Sequence, residues 1–444
     1  MNVQRITFPI PHFNASSRFI ATSRVLQRVL LVAWVLTLPL EFTKMYFPNQ
    51  AIEVSRIVLV LCLLTFGVQF AAERREVRMP MSATMLGLAL FTVYAVISAA
   101  AAGSAQGTKT AVAMVAYLLI TLTVFNWVHT QEDHLRIWTA LAVSAIVLSA
   151  IGLVLYLTNS YIWNPPNAGV LRVNATFHDP NIFARFLAFA MLTLVLLAAD
   201  LEVSVGQRAV WIAGALAAAA IFPFTFSRAG WGLTLVVALV VVALARRKKR
   251  ALALVGLIVA IFAAIAIVDP SVFSRAALLA QNLESPFKNR AFLDRAPWLR
   301  FLDVLPLDSV RQYLIGSGLI MFVDHPIFGI GFGTFSQSLL GPYAGLVPPG
   351  VDDTASHTSV VTVVAETGLL GLAIVIVAGY SFVRSTWRAT GRQLRERTLV
   401  LAPAIGVLVI VVTSQLSGRL FEEPYLWLFL GLAFSAQAGL DDSG

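Results

Sequence analysis

Five basic side chains stand out in this chain, Arg172, Arg185, Arg228, Arg311 and His357, because they remain on one side of a sequence otherwise filled by twelve apolar stretches. Charge at a membrane boundary is costly unless something uses it. Guanidinium groups grip phosphate oxygens through paired N–H bonds, and an imidazole accepts a proton from a hydroxyl. The set points to an anionic-ligand site in a membrane enzyme or carrier acting on a phosphorylated molecule.

The elements that must hold these groups are membrane helices. Of 444 residues, 58% are hydrophobic and 12% charged, and the mean hydropathy is +0.80, which excludes a soluble globular domain. A span needs about 20 apolar residues. The runs place spans near 24 to 41, 54 to 71, 82 to 101, 110 to 128, 135 to 157, 181 to 199, 208 to 226, 229 to 245, 251 to 268, 358 to 382, 398 to 415 and 421 to 438. The expected fold is an all-α polytopic membrane protein of about 12 transmembrane helices, with a large, partly helical extracytoplasmic loop between helices 9 and 10. On this reading residues 1–268 carry helices 1–9, residues 269–357 form the loop subdomain, and residues 358–444 carry helices 10–12 and a cytoplasmic C-terminus. The leader before the first run is too long for a cleavable signal and lacks a small-residue cleavage site, so the first run is expected to stay as a span. Cys62 is the single cysteine, which rules out an intramolecular disulfide or a CxxC metal site.

Lysine and arginine set the expected orientation. With the N-terminus in the cytoplasm, that side takes Arg74, Arg75 and Arg78, the run Arg246 to Arg250, and Arg384, Arg388, Arg392, Arg395 and Arg397. The net charge of +9 then mostly reports topology. No basic helix or interleaved aromatic pattern argues for nucleic acid. His12, His129 and His134 fall on the cytoplasmic side as solvated residues, and Asp352-Asp353 and Glu422-Glu423 read as solvated acidic pairs rather than metal ligands. Glu366 reads as buried within the tenth span and paired with a basic neighbour. The long connection carries aromatic and aliphatic residues at helical spacing, as in Asp308 to Leu314, which predicts amphipathic helices lying over the membrane face.

Alternation then has a consequence for the basic residues. Every even-numbered span starts at the outer face and presents free N–H groups and a positive dipole end there. The sixth opens with His178-Asp179-Pro180-Asn181, where Asp179 fits an N-cap and Pro180 the first helical position, and Arg185 follows one turn beyond Asn181. The eighth opens with Ser227-Arg228-Ala229-Gly230, and the tenth with Ser356-His357-Thr358. Helix N-termini bind phosphate, and arginine beside one adds a bidentate clamp. A helix N-terminus also disfavours an imidazolium, the wrong form for a general base. Three such starts at one depth make a single pocket possible.

Several motifs resemble a family when taken in order. They are Ser227-Arg228-Ala229-Gly230, Arg311, the stretch Asp324-His325-Pro326-Ile327-Phe328-Gly329-Ile330-Gly331-Phe332-Gly333-Thr334-Phe335, and His357-Thr358-Ser359 with Glu366-Thr367-Gly368-Leu369-Leu370-Gly371. Their order and spacing resemble the O-antigen ligase and polymerase superfamily, over residues 172 to 372 in motif terms. Phe177-His178-Asp179-Pro180-Asn181 departs from the family, which often has Asn before that proline.

The resemblance implies an inverting glycosyl transfer at the periplasmic face of a bacterial inner membrane, from undecaprenyl pyrophosphate to a sugar hydroxyl of lipid A-core. Arg228 and Arg311 would bind the pyrophosphate, with Arg172 and Arg185 as further candidates, His357 would act as base, and Ser227, Asn181 and Glu366 would support them. Pyrophosphate leaves readily once its charge is neutralised, so arginines can replace a metal, and no cofactor or nucleotide is implied. The first outer loop lacks the acidic pair of metal-dependent polyprenyl glycosyltransferases. Polymerase and protein O-oligosaccharyltransferase are rivals that share the donor. A transporter of anionic lipid would put its charges near the midplane rather than at one face.

Overall fold

The computed structural model describes residues 2–6, 17–41, 53–73, 77–162, 172–270, 272, 296–304, 309–347, 356–391, 394–418 and 420–439. Asp352, Asp353, Arg419, His12 and the side chain of Arg228 lie outside the described residues, as do 273–295, 305–308 and 348–355 of the expected loop subdomain.

The protein is an all-α polytopic membrane protein, and each expected span is a helix. They are α1 (Ser17–Thr37), α2 (Val54–Glu73), α3 (Ala83–Ala101), α4 (Ala105–Trp127), α5 (Gln131–Leu157), α6 (Pro180–Asp200), α7 (Val205–Ile221), α8 (Arg228–Leu244) and α9 (Lys248–Val268). After two shorter helices, α10 (Ser309–Asp324) and α11 (Phe335–Leu340), come α12 (Ser359–Ala389), α13 (Leu394–Ser417) and α14 (Pro424–Ala438). Among the described residues, ten helices are long and apolar enough to cross a membrane. Of the other two, α8 has 17 residues and α14 has 15.

The bundle is built around α6 and α14. The apolar window of α6 is buried throughout, and α14 is buried from Tyr425 to Gln437. A helix enclosed by protein need not match the hydrocarbon thickness, which accommodates the shortness of α14. Aromatic side chains join the two: Phe189 meets Tyr425 at 4.8 Å between ring centroids and Phe429 at 5.2 Å. Small residues bring neighbours close, with Gly431 set against Val124 of α4 and Gly406 of α13 under the Phe429 ring. The outer faces of α2, α3 and α9 expose Val60, Leu64, Leu90, Ile97 and Val259, as a lipid-facing surface requires.

Two features differ from the sequence reading. Asn2–Ile6 and Val77–Met81 pair as a short antiparallel ladder, stabilised where the Asn126 side chain exchanges two hydrogen bonds with the Arg78 backbone. His134 is not solvated: it is fully buried, with its Nε2 at 3.2 Å from Ser435 Oγ, because α5 starts against α14.

The 31 residues of α12 are interrupted at Gly368, whose φ of 61° and ψ of −162° are not helical. α10 packs lengthwise along the part of α12 before that interruption. Gly318 of α10 faces Val361, and the Pro326 carbonyl accepts from Leu369 N–H at 2.8 Å, so the two helices run in the same direction. A small separate core of Leu299, Leu302, Leu314, Met321, Phe335 and Leu339 closes this subdomain onto Ala365.

Candidate functional site

The starts of α6, α8 and α12 lie at one end of the bundle, as the alternation of spans requires. At the opposite end, the buried Asp200 carboxylate accepts from the backbone N–H groups of Arg246 and Arg247, and Arg397 donates to the Leu244 carbonyl. The basic run 246–250 and the starts of α6, α8 and α12 are thus on different ends.

Asp179 is extended, with φ −125° and ψ 133°, and its carboxylate accepts from Asn181 N–H at 2.6 Å, with Pro180 opening the helix. Such a cap is worth about 1 kcal/mol. Asp179 therefore has the capping role read from its sequence position. Arg172 donates from Nη2 to Asn181 Oδ1 at 2.9 Å and from Nε to the Thr225 carbonyl at 3.1 Å. It thereby ties the start of α6 to the turn that leads into α8. That turn is a 3-10 segment, Phe222–Thr225, followed by Phe226 in the left-handed region. Ser227 is the N-cap residue of α8 without a side-chain cap bond; its buried Oγ packs toward Gly230, where a Cβ would come to 2.8 Å from it. Arg228 is the first residue of α8.

His357 sits one residue outside the helix it was expected to open. Thr358 is the N-cap residue of α12, and His357 precedes it with φ 56°. Gly418 N–H donates to the His357 carbonyl at 3.1 Å, while Ser356 Oγ accepts from Thr358 N–H at 3.1 Å. The ring is half-buried. Among the described residues only Asn159, Ala175, Phe226 and His357 combine a side chain with positive φ. Phe226 and His357 stand directly before the N-cap residues of α8 and α12. Each such residue costs roughly 1–3 kcal/mol, and strain of this kind persists where a site holds it.

Arg185 stands apart from the Arg172 group. Its guanidinium is fully buried, with Nη1 at 3.1 Å from Glu423 Oε2 and Nη2 donating to the Gly418 carbonyl at 2.9 Å. The sequence reading grouped Arg185 with the pyrophosphate ligands and took Glu423 as solvated; both expectations yield to this pair. A guanidinium inside the bundle needs a carboxylate beside it, and losing either partner of such a pair costs about 3–5 kcal/mol. Glu422 behaves differently and accepts from Thr110 Oγ1 at 3.1 Å.

Glu366 is buried as expected, but its partners are not basic. Oε2 accepts from Gly333 N–H at 2.8 Å and Oε1 from Phe335 N–H at 3.0 Å, which caps the turn entering α11. The glycine-rich stretch docks on α12 where Gly368, with φ 61° and ψ −162°, interrupts the helix. Gly331 N–H donates to the Glu366 carbonyl at 3.1 Å and Ile330 N–H to the Ala365 carbonyl at 2.9 Å. From α3, Tyr94 donates to the Phe328 carbonyl at 2.8 Å and Ser98 Oγ accepts from Phe332 N–H at 3.0 Å. Gly333 has φ +72° and a Cβ there would lie 2.2 Å from Gly107 Cα, so no side chain fits. Arg311, half-buried, is in the first turn of α10, two turns before the Gly318–Val361 contact and on the side toward which α12 starts. Among the described residues, no three His, Cys, Asp or Glu side chains gather as a metal site.

These bonds form two groups that share α6. One joins Arg172, Asn181 and the entry to α8; the other joins Arg185, Glu423, Gly418 and His357. Residues 213–376 match the family described as O-antigen ligase. That stretch is therefore similar to the O-antigen ligase family. No curated protein matches it. The O-antigen ligase match spans Arg228, Arg311, His357 and Glu366, whereas Arg172, Asn181 and Arg185 precede it. Members of the family are glycosyltransferase-like enzymes, and lipid-linked glycans and lipids are the substrates the family implies. Sequence reasoning missed Glu423, Gly418 and the α3 side chains that hold the glycine-rich stretch. For Glu423 a signal existed: an acidic residue directly before Pro424 at the head of an apolar run reads as a helix cap rather than as half of a solvated pair.

Proposed function

We propose that this protein is an O-antigen ligase: an inverting, metal-independent glycosyltransferase that moves a glycan from undecaprenyl pyrophosphate to a sugar hydroxyl of lipid A-core, at the periplasmic face of the bacterial inner membrane. The observation that carries the reading is the O-antigen ligase family domain, whose Arg228 and His357 stand at the starts of α8 and α12 on one end of the bundle. The basic residues of the opposite end support a cytoplasmic assignment for that end and for both termini.

In the reaction His357 takes the proton of the acceptor hydroxyl as its oxygen attacks the anomeric carbon. The bond from that carbon to the pyrophosphate oxygen breaks on the opposite face, which inverts the configuration. The departing pyrophosphate keeps the electron pair, and Arg228, Arg311 and Arg172 neutralise the charge it gains. Preorganised donors of this kind do the work of an acid or a metal.

Arg228→Lys separates this role from simple attraction to lipid headgroups. Lysine keeps the charge but loses the planar fork, so kcat/KM is expected to fall at least tenfold, about 1.4 kcal/mol. Wild-type kinetics in that variant would mean that Arg228 only snorkels to lipid phosphate.

The deciding experiment offers purified protein an undecaprenyl-pyrophosphate glycan with lipid A-core, a pilin-like protein or a second lipid-linked glycan, each with and without EDTA. Elongation of lipid A-core alone, unchanged by the chelator, is expected. Elongation of one of the other acceptors would make the chain a protein oligosaccharyltransferase or a polymerase, and loss in EDTA restored by a divalent ion would overturn metal independence.

A further inference from the structure

We infer that Arg185 and Glu423 position the base: the ion pair holds the Gly418 turn, and that turn holds His357 in its left-handed conformation. This rests on the reading of His357 as the acceptor base and goes beyond it, since it assigns function to a pair remote in sequence from that histidine.

The path is short and continuous. Glu423, the N-cap residue of α14, fixes the Arg185 guanidinium through Nη1 at 3.1 Å. The second arm of the fork, Nη2, reaches the Gly418 carbonyl at 2.9 Å. Gly418 follows the last residue of α13 with φ +64°, and its N–H is shared between the Ser414 carbonyl at 2.9 Å and the His357 carbonyl at 3.1 Å, which ties His357 to the end of α13. One glycine thus accepts from Arg185 on one side and donates to His357 on the other. Gly418 takes its positive φ freely, whereas His357 at φ 56° depends on its neighbours to stay there. Three helices that are far apart in the chain, α6, α12 and α13, are bound at this one point, and α14 supplies the carboxylate. An arginine suits the task because two separate N–H groups are needed at a fixed angle, one for the carboxylate and one for the carbonyl. With its guanidinium fully buried on these partners, Arg185 is oriented to hold backbone rather than to meet a phosphate.

The test uses steady-state kinetics of the full chain with the lipid-linked glycan and lipid A-core. Arg185→Lys keeps a cation beside Glu423 but cannot span both contacts, and it is expected to lower kcat about tenfold with both KM values unchanged. Gly418→Ala attacks the same path from the other end. The nearest atom to the added Cβ is His357 Cα at 3.7 Å, so space is adequate and only the backbone conformation is penalised. It is expected to lower kcat similarly, and Gly418→Asn, which tolerates the left-handed region, to restore most of the loss. The double variant Arg185→Lys/Gly418→Ala should be no slower than the slower single one, because both break one path. A rise in the donor KM for Arg185→Lys would instead make Arg185 a phosphate ligand. Multiplicative losses, or an Asn variant no better than the Ala variant, would also overturn the inference. The Gly418 pair carries the test where Arg185→Lys does not accumulate. Failure of the underlying reading shows separately, as undiminished transfer by His357→Asn.

Discussion

Replacing His357 with alanine is expected to slow glycan transfer by roughly 10²–10⁴-fold, the usual worth of general-base assistance, while the protein still folds and still binds its donor. The histidine is half-buried and stands outside α12, so its removal opens no cavity in the bundle core. Its backbone is the complication, because φ 56° favours histidine and asparagine over alanine. His357→Asn is therefore the sharper variant. It accepts the left-handed conformation and keeps the carbonyl that Gly418 N–H meets at 3.1 Å, yet it brings no group able to take a proton. Both variants should lose kcat to a similar extent, with melting temperatures in detergent close to that of the parent. Transfer at the parental rate by His357→Asn would show that the position serves conformation and that the base lies elsewhere.

The second large effect is expected at Glu366, and it is one of stability. Both carboxylate oxygens are committed, Oε2 to Gly333 N–H at 2.8 Å and Oε1 to Phe335 N–H at 3.0 Å. Glu366→Gln looks conservative but is not. A glutamine amide has one accepting oxygen, and its nitrogen would face a backbone N–H, donor against donor. One buried amide is left without its acceptor, a loss of about 1.5–3 kcal/mol for a bond to a charged group. Glu366→Ala strands both amides and should cost about twice as much. The glycine-rich stretch then loses its hold on α12 at Gly368, the core around Leu314, Met321 and Phe335 loosens, and Arg311 loses its support on α10. A lower unfolding midpoint for both variants, with Ala below Gln, is the expected result. Midpoints equal to the parent would show that the two N–H groups find other partners and that Glu366 does not lock the subdomain.

Legibility differed sharply between kinds of feature. The spans could be read because a helix in lipid must satisfy its own backbone and be apolar along its length, so each run of the chain carries its own signal. The cap at Asp179 and the first-turn Pro180 could be read for a similar reason, since the bond from Asp179 to Asn181 N–H lies within one turn. Glu366 could be read as buried but not as bonded to Gly333 and Phe335, because nothing local tells whether a buried carboxylate meets a cation or a pair of amides. The Arg185–Glu423 pair was out of reach altogether: the partners are 238 positions apart, and each taken alone suggests an interfacial charge.

The class of protein and the alternation of its helices follow from the amino-acid sequence alone, and hence that Arg172, Arg228 and His357 belong to one end of the bundle. They do so because burial in lipid acts on each segment separately and alternation follows from counting. That Arg185 is closed inside the bundle follows only from how the helices pack. The Arg172 guanidinium, bonded to Asn181 and the Thr225 carbonyl, and the Arg185 guanidinium, buried against Glu423, differ in their neighbours, and those of Arg185 exist only once α6, α12, α13 and α14 have packed together.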